Sequence, residues 1–250
     1  MANVIKPHQN LVVVITPLHL RHRFFVAQLE KNQIKVAAII VDKSRSKAHF
    51  RSYFSLSSLL NLILTAYESL KFGLSSIKNI PIYGVNSLAD PRISEIVNSS
   101  SPRTVVVYGG KIIPNVTLEN LAYPCINVHA SVLPGYRGLD SYWWSLIENN
   151  QDSRGYSVHF VDSGIDSGNL LLVKPYTAKN GLLYPHLSWR IWIAYDSAKE
   201  ISKIINEEKM ALWGIPHAKT ASTYRSKIRL IDVIRARSKL LLVKLHSIDS

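Results

Sequence analysis

Leu11 to Ile15 is a short apolar, β-branched run, His19 to Glu30 is compatible with a helix, and Val36 to Val41 is a second apolar run. Runs of that length separated by a helix-length segment predict a βαβ opening. The alternation resumes with a short strand around Ile82 and Tyr83, a helix from Asp90 to Val97 and a strand from Thr104 to Tyr108. A Gly109-Gly110 turn, a helix from Asn115 to Leu121 and a strand from Cys125 to Val128 follow. Beyond a loop rich in Pro, Gly and Arg, a helix from Ser141 to Asn149 precedes GYSVHFVD, where apolar and polar positions alternate as in a strand with one wetter face. Asn169 to Tyr176 reads as its hairpin partner. From His186 to Met210, Leu187, Ile191, Ala194, Tyr195, Ala198, Ile201 and Ile205 recur at helical spacing, which predicts one long amphipathic helix against the sheet.

Strands alternating with helices predict an α/β domain with a mostly parallel sheet, placed here at residues 1–210. Two stretches break the alternation. Residues 43–78 read as an insertion, basic in KSRSKAHFRSY and apolar from Leu56 to Leu70. Residues 211–250 read as a short basic C-terminal extension, carrying Lys219, Arg225, Lys227, Arg229, Arg235, Arg237, Lys239 and Lys244 around the acid Asp232.

The 250 residues are 47% hydrophobic and 19% charged, enough to build a substantial core and too apolar for a solvated coil. Thirty Lys and Arg against 17 Asp and Glu leave +13, which favours an anionic partner. The one cysteine, Cys125, has no internal partner and fits a reducing compartment, with the cytoplasm as the expected location. MANVIKPHQN has no apolar core of a secretory signal. Leu56 to Leu70 is too short to span a bilayer; peripheral contact with an anionic membrane, a buried helix and a dimer contact are its three readings.

The sharpest chemistry lies in CINVHASVLPGYRGLDSYWW, residues 125–144. Asn127 and His129, two apart on a strand, share one face near its carboxyl end, where open α/β sheets place ligands. Downstream, VDSGIDSG supplies Asp162 and Asp166 between Gly164 and Gly168, which permit a tight path back toward the histidine. An amide for a developing oxyanion, an imidazole for protons and the Asp166 carboxylate to orient the ring form a set for acyl transfer that needs no Ser or Cys nucleophile. Asp162 is read as the turn-forming partner. Ser131 and Arg137 are candidate substrate contacts, with loop stabilisation as the competing role. Tyr142, Trp143 and Trp144 read as core, and His19, Arg21, His22 and Arg23 as a solvated helix face with a phosphate contact as the alternative. The scattered histidines give no metal-ligand spacing.

With Asn127-Val128-His129, Ser131-Val132-Leu133-Pro134, Arg137-Gly138, Asp166-Ser167-Gly168 and VVVYGGKIIP in this order, the chain resembles the folate-dependent formyltransferases over roughly residues 100–175. The resemblance implies a Rossmann-like formyltransferase domain that uses 10-formyltetrahydrofolate, with Asn127, His129 and Asp166 as the catalytic residues. It implies donor contacts at Tyr108, Gly109, Gly110, Lys111, Ile112, Val161 and Asp162, and no metal. VVVITPLHLRHRFF lacks the Gly/Ser-rich phosphate loop of glycinamide ribonucleotide transformylases. It keeps only Thr16-Pro17 of the entry typical of methionyl-tRNA formyltransferases, and few residues remain for their tRNA-binding domain. The expected acceptor is therefore a small, nucleotide-linked amino sugar, with no nucleic-acid partner. A lipid-linked or peptide amine, formyl transfer to water, and a basic RNA-binding protein of the same fold without turnover are the alternatives.

Overall fold

The computed structural model describes residues 10–45, 77, 79–177, 185–206, 214–217, 224–229 and 231–232. Most of the expected 43–78 insertion, with its 56–70 apolar segment, lies outside the described residues, as does most of 211–250.

In chain order the elements are β1 (Leu11–Ile15), α1 (Leu20–Lys31), β2 (Lys35–Asp42), β3 (Ile82–Val85), α2 (Arg92–Ser100), β4 (Thr104–Tyr108), α3 (Asn115–Glu119) and β5 (Cys125–His129). They continue with β6 (Arg137–Gly138), α4 (Ser141–Ile147), β7 (Gly155–Phe160), β8 (Leu170–Pro175), α5 (Pro185–Asn206) and β9 (Tyr224–Arg225). Among the described residues, seven strands form one sheet in the order β3-β2-β1-β4-β5-β7-β8. The first five run parallel. Strands β7 and β8 close the sheet as an antiparallel hairpin. This is the mostly parallel α/β architecture that the alternation predicts, in the Rossmann-like form that the resemblance implies. Among the described residues no helix is long and apolar enough to cross a membrane.

The β-branched runs become central strands because both of their faces are covered. Val12, Val14, Val106, Ile126, Val128, Tyr156 and Val158 pack with Phe25, Val26 and Leu29 of α1 and Trp189, Ile193, Ala198 and Ile201 of α5. The alternate residues Val13, Ile15, Ala38, Ile40, Val105, Val107 and Cys125 pack on the other face with Ile93 and Val97 of α2. Burial pushes the Cys125 thiol up to about 12, so it is a small apolar filler there.

Helix α5 buries Ala194, Ala198, Ile201 and Ile205 as the spacing predicts, but not Tyr195 or Ile191. Tyr195 is 47% exposed and Ile191 only partly buried, while Trp189, Ile193, Ala194, Ser197, Ala198, Ile201, Ser202 and Ile205 face inward. Small Ala and Ser positions let α5 approach α1 and the sheet closely; Ser197 and Ser202 spend their hydroxyls on the Ile193 and Ala198 carbonyls. An apolar-only count takes in the Ala positions but cannot see Ser197 and Ser202. His186 and Leu187 lie outside the residues whose side chains are described.

Sheet order reverses between β1 and β4, and the crevice outside their carboxyl ends is where such folds bind ligands. Phe25, fully buried, stacks on Tyr108 at 4.2 Å, and Thr16 Oγ1 donates to the Tyr108 carbonyl at 2.7 Å, so the core fixes the exit of β4. Phe25→Ala is expected to lower unfolding free energy by about 3–5 kcal/mol, read as a lower denaturation midpoint at unchanged slope.

Candidate active site

Asn127 and His129 occupy alternate positions on β5, which puts them on one face. Strand β7 pairs with β5 in antiparallel register, setting His159 opposite Asn127 and Ser157 opposite His129. Asp166 arrives from the β7–β8 connection with φ of 46°, a left-handed conformation that Asp accepts more readily than most residues. Asp162 shapes that connection: its Oδ1 accepts from Gly164 N at 3.1 Å and from Ser167 Oγ at 2.6 Å. Gly168 closes it, since a Cβ there would sit 1.9 Å from the Phe160 carbonyl oxygen.

The three residues expected to work together converge. Asn127 Nδ2 donates to Asp166 Oδ1 at 3.3 Å, and His129 Nδ1 lies 3.3 Å from Asp166 Oδ2. His129 Nε2 donates to the Tyr136 carbonyl at 2.7 Å. With acceptors facing both ring nitrogens, His129 makes both bonds only when it carries both protons. A fourth member was not anticipated: His159 Nε2 sits 3.1 Å from Asn127 Nδ2 and 3.4 Å from Asp166 Oδ1, and its Nδ1 donates to the Phe160 carbonyl.

Burial alone would raise the Asp166 carboxyl, yet the charge of His129, the His159 hydrogen bond and the Gly138 N–H at 2.8 Å together hold it well below the carboxylate range. Asp166 is therefore ionised across the neutral range and supplies the negative charge around which the imidazoles gather.

These groups open onto a cavity of about 930 Å³. Tyr108, Gly109, Gly110, Lys111 and Ile112 line one side, Val161 and Asp162 another, so every expected donor contact borders the same space as Asn127, His129 and Asp166. Gly109 and Gly110 adopt φ of 67° and 126°, which keeps the turn tight and its peptide groups free of Cβ cover. Lys111 is held by Asp42 at 3.1 Å.

The two expected substrate contacts are placed elsewhere. Ser131 is fully buried, its hydroxyl donating to the Ser153 carbonyl at 3.0 Å and its own carbonyl accepting from Ser157 Oγ. Arg137 Nε donates to the Ile165 carbonyl at 2.8 Å. Neither borders the cavity, and both brace the loops that do. Conversely, Arg21 and His22 border it, with His22 buried, so that half of the basic cluster is not a solvated face. Tyr142 and Trp143 also line it.

Sequence reasoning missed Trp189, Arg190 and Ile193 of α5 and Tyr224 and Lys227 of the C-terminal stretch as wall residues. Among the described residues no group of His, Cys, Asp and Glu could hold a metal ion.

The sequence profile described as Formyl transferase matches residues 9–182. A methionyl-tRNA formyltransferase from Syntrophus aciditrophicus (strain SB) is 29% identical over 165 residues, covering 64% of this chain and 48% of that protein. The chain spans about half the length, or less, of the curated relatives it matches. Among solved structures, a sugar N-formyltransferase from Shewanella sp FDAARGOS_354 superposes with a TM-score of 0.57 at 16% identity, over 92% of this chain and 88% of that one. The formyltransferase PseJ from Anoxybacillus kamchatkensis, in complex with UDP-4,6-dideoxy-4-formamido-L-AltNAc and tetrahydrofolate, does so at 0.51 and 19% identity, over 86% and 85%. At those identities the structural likeness shows a shared fold.

Proposed function

This chain belongs to the formyl transferase family, and from that premise we propose that it moves the formyl group of 10-formyltetrahydrofolate to a primary amine carried by a nucleotide-linked amino sugar. The observation that carries this reading is the convergence of Asn127, His129 and Asp166 at the wall of a single cavity. Its volume of about 930 Å³ lies in the range of sites that enclose a cofactor-sized ligand. The Tyr108 to Ile112 turn and Val161-Asp162 would hold the donor, largely through peptide groups suited to the amide edge of a pterin.

When bound, the donor supplies an electrophilic formyl carbon, and the acceptor amine is the nucleophile. The chain's own part is electrostatic. Asn127 Nδ2 and His129 Nδ1 each reach Asp166 by a long 3.3 Å contact, and these are the N–H groups that can turn to an oxygen gaining negative charge. Asp166, held far down its range, is a weak base; its Oδ2 faces His129 Nδ1 and aims the ring. The Nδ1 proton of His129 can then be lent to the departing nitrogen and recovered from the amine.

The amino-sugar choice draws on the small-molecule family members and on the +13 charge, which suits a diphosphate. A second acceptor, an aminoacyl-tRNA, is favoured by the sequence similarity to a methionyl-tRNA formyltransferase. Incubation with 10-formyltetrahydrofolate and, separately, amino-sugar nucleotides or methionyl-tRNA decides between them. The expected result is tetrahydrofolate release matched by formyl gain on a sugar nucleotide. Gain on tRNA alone would replace the first acceptor by the second, and release without gain on any amine would mean hydrolysis and sink both.

A further inference from the structure

The C-terminal stretch, expected as an appendage, reaches into the catalytic wall. Strand β9 pairs in parallel with β6, Arg137 beside Tyr224 and Gly138 beside Arg225, and Leu139 N donates to the Arg225 carbonyl at 2.9 Å. The approach is close enough to require glycine: Gly138 has φ of 95°, and a Cβ there would lie 2.3 Å from the Arg225 carbonyl oxygen. Trp144 Nε1 donates to the Ser226 carbonyl at 2.9 Å and Ile228 N to Asp140 Oδ2 at 3.1 Å, so the strap is held along its length.

Arg225 is the anchor. Its Nε and Nη2 each donate to one oxygen of Glu148 at 2.9 Å, a fork-to-fork pair, while the guanidinium lies over the rings of Tyr136 at 5.1 Å and Trp144 at 5.9 Å. Tyr136, almost wholly buried, donates its hydroxyl to the same Glu148 at 2.8 Å. The backbone of this gripped segment holds His129 from both sides. The Tyr136 carbonyl takes the proton of Nε2, and two residues on, Gly138 N–H fixes Asp166 Oδ2, the oxygen that faces Nδ1. The mechanism above uses none of Arg225, Glu148 or the Tyr136 ring.

We propose that Arg225 is a positioning residue: by clamping Glu148 and Tyr136 it fixes both hydrogen-bond partners of His129, which makes the strap from Tyr224 to Lys227 part of the catalytic apparatus. Arg225 touches neither His129 nor Asp166, so it acts through the 136–138 backbone. Side-chain exposures of 23% for Arg225 and 34% for Glu148 keep the pair partly shielded, and its bidentate geometry sets it apart from a loose surface ion pair. Lysine would keep the charge but lose both the fork and the stacking.

The test uses the full chain with Arg225→Ala, Arg225→Lys, Glu148→Gln and, as a control, Arg229→Ala, whose side chain pairs with Asp232 outside the clamp. The first readout is the imidazole N–H proton resonance of His129, assigned by its absence in His129→Asn; it needs no substrate. Wild type and Arg229→Ala should show it protected from exchange. Arg225→Ala should lose it while unfolding near the wild-type midpoint, and Arg225→Lys and Glu148→Gln should fall between. The second readout, which rests on the formyl-transfer reading, is steady-state turnover with 10-formyltetrahydrofolate. Arg225→Ala should lower kcat by about 10- to 100-fold, the scale of a displaced catalytic group, with KM for the donor changed less than about twofold. A His129 resonance unchanged in Arg225→Ala and Glu148→Gln would overturn the proposal, whatever the enzyme's substrate. So would a resonance lost only together with a collapse of thermal stability in all three clamp variants, because that outcome describes packing and not positioning. An absence of formyl transfer in the wild type, with the resonance behaving as expected, would count against the proposed function and leave the clamp standing.

Discussion

Turnover of the Asn127→Ala and His129→Ala proteins is expected to fall by about 100-fold or more, the usual cost of removing one donor aimed at a developing oxyanion. Both should still fold, because β5 owes its place to its strand pairing with β4 and β7 and to Ile126 and Val128 in the core, none of which these substitutions touch. They should differ in stability. Asn127→Ala removes one long hydrogen bond from Asp166 and leaves His159 on the same carboxylate oxygen. His129→Ala strips Oδ2 of its imidazole partner and leaves only Gly138 N–H, so it should cost a further 1–3 kcal/mol or so, as expected for a buried charge left short of partners. Steady-state kcat measured beside a denaturant titration separates the two effects. Near-normal turnover in either protein, once folded, would remove that residue from the mechanism.

The parts of this site that a sequence can reveal are those with a short-range signature. The short apolar runs at Leu11–Ile15, Thr104–Tyr108 and Cys125–Val128 read as strands, and the two-residue spacing of Asn127 and His129 places them on one face whatever the rest of the fold does. Asp166 was legible because glycines bracket it in a turn. His159 was not: it joins the site through the antiparallel register between β5 and β7, and register is a property of a pair of strands that neither strand carries alone. Arg225 meets Glu148 across 77 positions, and a run of basic residues looks the same in sequence whether it clamps a loop or trails in solvent. Ser131 and Arg137 lie in the motif yet bond to the Ser153 and Ile165 carbonyls, which shows that membership of a motif does not say which side of the wall a side chain is on. Helix α4 ended two residues before the expected boundary because Asn149 turns into the left-handed region at φ of 53°, a choice that an Asn-Asn pair leaves open.

Asp166→Asn isolates the charge from the shape. Asparagine tolerates the left-handed backbone at this position and has nearly the same volume, so the turn should survive while the negative charge around which His129, His159 and Asn127 gather is lost. Without it His129 has no anion beside Nδ1 to orient the ring, and turnover should fall by about 100- to 10,000-fold, the range typical of a lost acid–base partner. The same substitution should change the response of the fold to acid. The folded state holds the Asp166 carboxyl below its ordinary value of 3.8, so as pH falls past that value the unfolded chain takes up a proton before the folded one does. The stability contributed by the group is thus fully present above about pH 5 and is lost progressively as pH falls below about 4, toward the folded value. In Asp166→Asn that loss has no source, and its unfolding free energy between pH 4 and 2 should slope less steeply than that of the wild type. Parallel slopes in the two proteins over that interval would mean that the carboxylate is not held by the histidines in solution, and the electrostatic account of the site would fail with it.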